Sequence, residues 1–225
     1  MLTIPVYICI LFILTTLTTV FLFYRAAANN NTFLLIISIW LAIQMIISLT
    51  GFYTVTTTIP PRFILLAGPP VLFIILLFIT KKGRRFIDNL SLKTLTLIHV
   101  IRIPVEIVLL LLYIQKTVPK EMTFEGINFD VLSGITAPVI YYFVFFNKGM
   151  SYKILALWNI VCLMLLINIV TIAVLSAPFP FQKIGMDQPN IAVLYFPFIW
   201  LPCCVVPLVL FSHLASLRKI FRKTI

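Results

Sequence analysis

A histidine, an arginine and a glutamate occur within eight residues of an otherwise apolar stretch, Leu97-Ile98-His99-Val100-Ile101-Arg102-Ile103-Pro104-Val105-Glu106. On a helix advancing about 100° per residue, Arg102 lies about 60° and Glu106 about 20° from His99, so all three share one face. An imidazole exchanges protons near neutral pH, a carboxylate accepts them, and a guanidinium holds an anion or neutralises a carboxylate four residues away. The three are the makings of a site for a proton or a small polar solute. Pro104 lies between them and leaves the carbonyl of Val100 without its usual donor. A charge at the centre of a bilayer costs about 2.5–3.5 kcal/mol on insertion scales. The face is therefore expected to look into a bundle, with Arg102 and Glu106 paired.

Companions for this face come from other apolar runs. Gln44 falls near the level of Glu106, Asn159 near that of His99, and His213 closer to the interface, while Asn168 and Asp130 lie toward the other side. Each equally suits a solitary interhelical hydrogen bond. Asn128 or Asp130 could cap the helix that follows them. Alternatively Glu125, Asn128 and Asp130 form an acidic outer mouth that draws a cation or proton toward Glu106, about 10 Å deeper. His99 and His213 are the minimum for a bis-histidine haem, should their helices face each other. No other cofactor and no metal is indicated. Cys9, Cys162, Cys203 and Cys204 all sit in apolar runs without ligand spacing, and adjacent Cys203 and Cys204 diverge by about 100° on a helix. P-loop, dinucleotide, GxSxG and HExxH signatures are missing, so no catalytic residue is assigned.

The elements that must position these groups follow from composition. Of 225 residues 62% are hydrophobic and only 10% charged, and the mean hydropathy is +1.14. Such a chain is neither a soluble enzyme, a disordered tail nor a free nucleic-acid module. Crossing the bilayer takes roughly 20 apolar residues. Seven stretches qualify, 2–24, 33–53, 62–80, 92–115, 128–147, 151–174 and 192–215. They lack period-2 alternation and exceed barrel strands in length, so helices that satisfy their own backbone groups are the physical solution. The expected fold is an all-α, polytopic, seven-span bundle forming one domain over 1–225. Prolines predict kinks in the third run (Pro69, Pro70), the fourth (Pro104) and the seventh (Pro197, Pro202, Pro207). The orientations also permit a three-plus-one-plus-three arrangement, although no residue-by-residue repeat is visible.

Cations set the orientation. With the amino terminus outside, twelve fall on the inner side: Arg25, Lys81, Lys82, Arg84, Arg85, Lys93, Lys148, Lys153, Arg218, Lys219, Arg222 and Lys223. Four, Arg62, Lys116, Lys120 and Lys183, fall outside. This bias predicts N-out, C-in. The first run reads as a retained span rather than a signal peptide, because 23 residues pass between Met1 and the first charge, Arg25. The clusters at Lys81–Arg85 and Arg218–Lys223 fit anionic headgroups of the inner face, and nucleic acid is not an expected partner.

The segments His99-Val-Ile-Arg-Ile-Pro-Val-Glu106 and Phe124-Glu-Gly-Ile-Asn-Phe-Asp130 resemble those of a group of small bacterial seven-span integral membrane proteins with no known activity. The resemblance is sharpest from the fourth run into the fifth. It implies a multi-pass protein of the bacterial inner membrane and no mechanism. Microbial rhodopsins are not resembled, since the seventh run has no mid-span lysine. The leading expectation is a small permease or channel-like protein with a central site of His99, Arg102 and Glu106, flanked by Gln44 and Asn159. Its alternatives are a structural or partner-binding protein held by a buried Arg–Glu pair, an intramembrane lipid-modifying enzyme, and a bis-His haem protein.

Overall fold

In the computed structural model, residues 4–222 are described; Lys223, counted above in the terminal basic cluster, lies outside them. The helices are α1 (Val6–Ala26), α2 (Asn31–Leu49), α3 (Ile64–Ile79), α4 (Lys81–Asp88), α5 (Leu92–Ile114), α6 (Val131–Phe145), α7 (Tyr152–Leu175) and α8 (Leu201–Arg222). Among the described residues there is no strand. Five helices, α1, α2, α5, α7 and α8, are long and apolar enough to cross a membrane, and α3 with α4 makes a sixth if that bent pair is one span. The protein is a multi-pass membrane protein. Every one of the seven apolar runs holds a helix, but those in the third and fifth runs are shorter than the sequence suggests.

The third run stops early because its chain turns. A 91° break separates α3 from α4. No proline stands there. Thr80 leaves the helix and its hydroxyl accepts the Gly83 N–H at 3.1 Å, capping α4. Gly83 lies against the backbone of Leu77, where a Cβ would overlap main-chain atoms. Only glycine lets α4 fold back so tightly. Its far end is latched to α8: the Arg218 guanidinium donates to both oxygens of Asp88 at 2.9 and 3.0 Å, and Lys219 Nζ donates to the Asp88 carbonyl at 2.5 Å. The Arg218 hydrogen bonds hold the Asp88 carboxyl below its ordinary range, against a smaller opposing effect of burial.

The fifth run shortens for a different reason. At fifteen residues, α6 is about 22 Å long, less than the roughly 30 Å of hydrocarbon. The loop before it makes up the difference by descending into the bundle: Asn128 and Asp130 are buried, and the Ile127 carbonyl accepts from Asn168 within α7. The seventh run shifts instead. Residues 192–200 hold a 3-10 turn and irregular chain tied to the end of α5, with the N–H groups of Ile191 and Ala192 both donating to the Thr117 carbonyl at 3.0 and 3.1 Å. Helix α8 then begins at Leu201 and runs through the basic residues to Arg222.

Prolines lie inside helices and beside changes of helical pitch. Pro69 and Pro70 lie inside α3, and Pro138 inside α6. A 3-10 turn, Ile98–Ile101, precedes Pro104, and a π turn, Leu201–Val205, opens α8 around Pro202. Pro207 has no N–H for the carbonyl of Cys203 four residues earlier. The Trp40 indole supplies one, at 2.9 Å. Trp200 returns the tie by donating to the Leu41 carbonyl at 3.1 Å. These two bonds fasten α2, which is otherwise peripheral: of its residues only Leu41, Gln44 and Ser48 are buried.

The core centres on α5, which packs against α1 and α6, while α8 packs along α7. Ile8, Phe12 and Phe23 of α1 and Leu95, Ile98, Val108 and Leu112 of α5 are buried there. At one end the Ser91 N–H donates to the Ala26 carbonyl and α4 is latched to α8, which gathers the basic segments. At the other, Gln188 Nε2 donates to the carbonyls of Tyr113 and Val118. The two ends are chemically unlike, one strongly cationic and one closed by amide hydrogen bonds.

Candidate functional site: a buried polar network

His99, Arg102 and Glu106 project from α5 into the protein, at 0%, 2% and 2% exposure. They do not form one pair. Arg102 reaches across to the start of α6, where its Nη1 donates to Asp130 Oδ1 at 2.6 Å and lies 3.4 Å from the Cys162 carbonyl of α7. Glu106 receives Asn128 Nδ2 on both oxygens, at 2.7 and 2.8 Å. The expected Arg102–Glu106 ion pair is thus replaced by Arg102–Asp130, and among the described residues Glu106 has no ion pair.

Gly134 explains the exchange. A Cβ there would come within 2.9 Å of Ile103 Cγ1, 3.1 Å of the Ile103 nitrogen and 3.3 Å of Arg102 Cβ. With glycine at the crossing, α6 approaches α5 closely enough for Asp130, one turn earlier, to meet the guanidinium. Asp130 is accordingly no mouth residue and its carboxylate does not cap α6; Ser133 Oγ lies 3.4 Å from the same Oδ1. Asn128 is likewise interior. Its amide also donates to the Met122 carbonyl at 2.9 Å and its Oδ1 accepts the Asp130 N–H at 3.0 Å, so one side chain satisfies the descending loop. Of the three residues expected at an outer mouth, Glu125 alone is exposed.

His213 of α8 is a central member, where its sequence position suggested an interfacial one. Its Nε2 lies 2.9 Å from Arg102 Nη2 and its Nδ1 2.8 Å from Asn159 Oδ1. Asn159 Nδ2 is spent on the Leu155 carbonyl, so Oδ1 faces the imidazole as an acceptor. Guanidinium only donates and this amide oxygen only accepts, which makes His213 a neutral ring carrying its proton on Nδ1. Asn159 therefore joins the site through His213. Gln44 does not: its Oε1 accepts from the Tyr53 hydroxyl at 2.6 Å, in a separate contact at the end of α2.

His99 stacks on His213, with centroids 3.9 Å apart and planes 15° from parallel, and meets Trp158 edge-on at 5.4 Å. Neither His99 nitrogen has a hydrogen-bond partner, nor does Arg102 Nε. Rings stacked this closely leave no room for a porphyrin between them, and both His213 nitrogens are engaged. The two histidines do not fit bis-His haem ligation.

The sequence signals for Asp130 and His213 were real but weak. Asp130 followed at one helical turn by Ser133-Gly134 marks a polar helix start beside a close crossing, and His213 is a histidine inside an apolar run. Residues 59–221 match the family described as Domain of unknown function (DUF8737). All members of the network lie within that match, whereas Gln44 precedes it. No curated protein and no solved structure matches the chain.

Proposed function

We propose that this chain, which belongs to the family Domain of unknown function (DUF8737), is a small permease or channel-like protein that moves protons, alone or with a small polar solute, through its buried network. The observation that carries the reading is His99, wholly buried with both ring nitrogens unpartnered and stacked on a histidine that is hydrogen-bonded to Arg102. Intramembrane ionisable groups are costly and mark pathways more often than packing. Charge counting points the same way. Arg102 and Asp130 cancel, so protonation of Glu106 takes the interior between net −1 and 0, while His99 supplies a ring that can receive a proton on either nitrogen. The polar chain Glu106, Asn128, Asp130, Arg102, His213 and Asn159 links α5, α6, α7 and α8.

In this reading α3 and α6, with the chain beside them, complete seven spans, and the cationic end faces the cytoplasm of a bacterial inner membrane. The test is proton flux into proteoliposomes carrying an internal pH dye, driven by a potassium gradient and valinomycin. The wild-type protein should acidify the lumen faster than protein-free vesicles, and Glu106→Gln and His99→Phe should return the rate to that background. A wild-type rate at background rejects the proposal.

A second reading, a network that only fixes helix packing, draws support from Arg102 Nη1 and Nη2 and both Glu106 oxygens being engaged. It requires Glu106→Gln to change stability without there being any flux to lose.

A further inference from the structure

Helices α2 and α3 do not pack along their lengths. Between them lies a cleft of about 380 Å³. Its walls are almost wholly apolar, formed by Phe33, Ile37 and Trp40 of α2 and by Phe73, Ile74 and Leu77 of α3. Its floor is aromatic, with the Phe23 ring tilted against those of Phe33 and Phe211, centroids 4.9 and 5.5 Å away. At the cationic end the cleft runs into a second, polar hollow of about 300 Å³ that shares Asn30 and Phe86 with it and adds Asn89. The hollow is built by the hydrogen bond from Ser91 N–H to the Ala26 carbonyl, which sets the turn after α4 against the end of α1.

An apolar slot that ends in a polar cup has the shape of an amphiphile. The charge around the cup selects its sign. Arg25 is two residues from cup-lining Ala27, and Arg84 and Arg85 immediately precede cup-lining Phe86, with Lys81 and Lys82 on the same short helix. Among the described residues no carboxylate lines either hollow; the nearest in sequence, Asp88, is held by Arg218. We propose that this cleft is a binding site for one anionic phospholipid, an acyl chain lying between α2 and α3 and the phosphate seated at Asn30 and Asn89 at the cationic end of the protein. The site stands apart from the polar network and does not depend on what that network does.

Trp40 lines the slot and reports on it. With Trp158→Phe and Trp200→Phe it becomes the sole tryptophan of the chain. The protein is reconstituted in phosphatidylcholine bilayers containing a small fraction of either dibrominated phosphatidylglycerol or dibrominated phosphatidylcholine. At equal mole fraction the brominated phosphatidylglycerol should quench Trp40 more strongly. Arg84→Gln with Arg85→Gln should lower that preference by about fivefold for each cation removed. Ile37→Phe, which narrows the slot from its outer wall, should reduce quenching by both lipids. Equal quenching by the two lipids in the wild-type background overturns the proposal. So does quenching by neither, the result expected if a helix of a second copy fills the cleft. Should Trp200→Phe prevent folding, a phosphatidylglycerol adduct retained in native mass spectrometry of the wild-type chain, and lost in the double arginine variant, carries the same decision; equal retention in that variant rejects it.

Discussion

Removing the Asp130 carboxylate tests the network's central contact. Arg102 and Asp130 meet at 2.6 Å with side chains 3% and 7% exposed. Taking one partner from a buried pair leaves the other charge in a low-dielectric interior and costs about 3–5 kcal/mol. In Asp130→Ala the guanidinium keeps His213 and the more distant Cys162 carbonyl, neither of which carries a compensating charge. The Glu106 carboxylate, held by Asn128 and not in an ion pair with Arg102, offsets only part of that loss. For a chain of this length each kcal/mol lowers the melting temperature by about 2–4 °C, so the loss should be about 6–20 °C in detergent micelles, followed by near-UV circular dichroism. The double replacement Arg102→Leu with Asp130→Leu removes both charges and should recover most of it. Glu106→Gln, which keeps one acceptor for Asn128, should cost only about 0.5–1.5 kcal/mol, the worth of an ordinary hydrogen bond. If Glu106→Ala destabilised more than Asp130→Ala, the charge pairing would be that of α5 with itself, and the placement of Asp130 would be wrong.

Gly134→Ala should force α6 from α5 beside Arg102, an overpacking cost of about 1–3 kcal/mol, read as a lower melting temperature that Ile103→Ala, which removes the crowded Cγ1, partly relieves. The Asp88 latch should depend on acid. Because the folded carboxyl lies below its unfolded value, its stabilisation is complete above about pH 4 and fades as pH falls through the folded value. The difference in melting temperature between the wild type and Asp88→Asn should therefore be present at pH 7 and shrink as acidity rises below pH 4. Orientation is tested by cysteine labelling in a Cys9→Ala background: an impermeant maleimide added outside cells should modify Glu125→Cys and spare Lys82→Cys, both positions being exposed. The opposite pattern reverses the topology.

Helix existence was legible from the sequence and helix extent was not. Apolar runs of about 20 residues announce helices by length and hydropathy alone, and all seven runs contain one. Hydropathy is blind, however, to a turn made by Thr80 and Gly83 inside an apolar-to-basic transition, and to an apolar loop such as Ile127-Asn128-Phe129 that descends beside α7. Burial of His99, Arg102 and Glu106 was legible from the cost of exposing charge to lipid. Their partners were not, because pairing at i and i+4 is a property of one helix, whereas the partner of Arg102 depends on how closely α6 approaches. That distance is set by Gly134, whose small size is visible in the sequence only once the crossing is known.

The short α6 then accounts for most of the interior's polarity. A helix that begins inside the bundle needs non-helical backbone at membrane depth, and such backbone persists only where protein satisfies it. Asn128 does so with bonds to Met122 and Asp130, Glu106 orients Asn128, and Arg102 neutralises the Asp130 carboxylate at the helix start. His213 and Asn159 occupy the other side of the guanidinium. His99 alone takes no part in this accounting. It bonds to nothing, and its stacking on His213 and edge contact with Trp158 are interactions that a phenyl ring also makes. A chain under selection for packing alone would gain by apolar substitution at this position, since burying two unpaired ring nitrogens costs free energy that phenylalanine does not. His99→Phe should accordingly melt no lower than the wild type, and a loss of proton flux in that stable variant separates a working imidazole from a structural one.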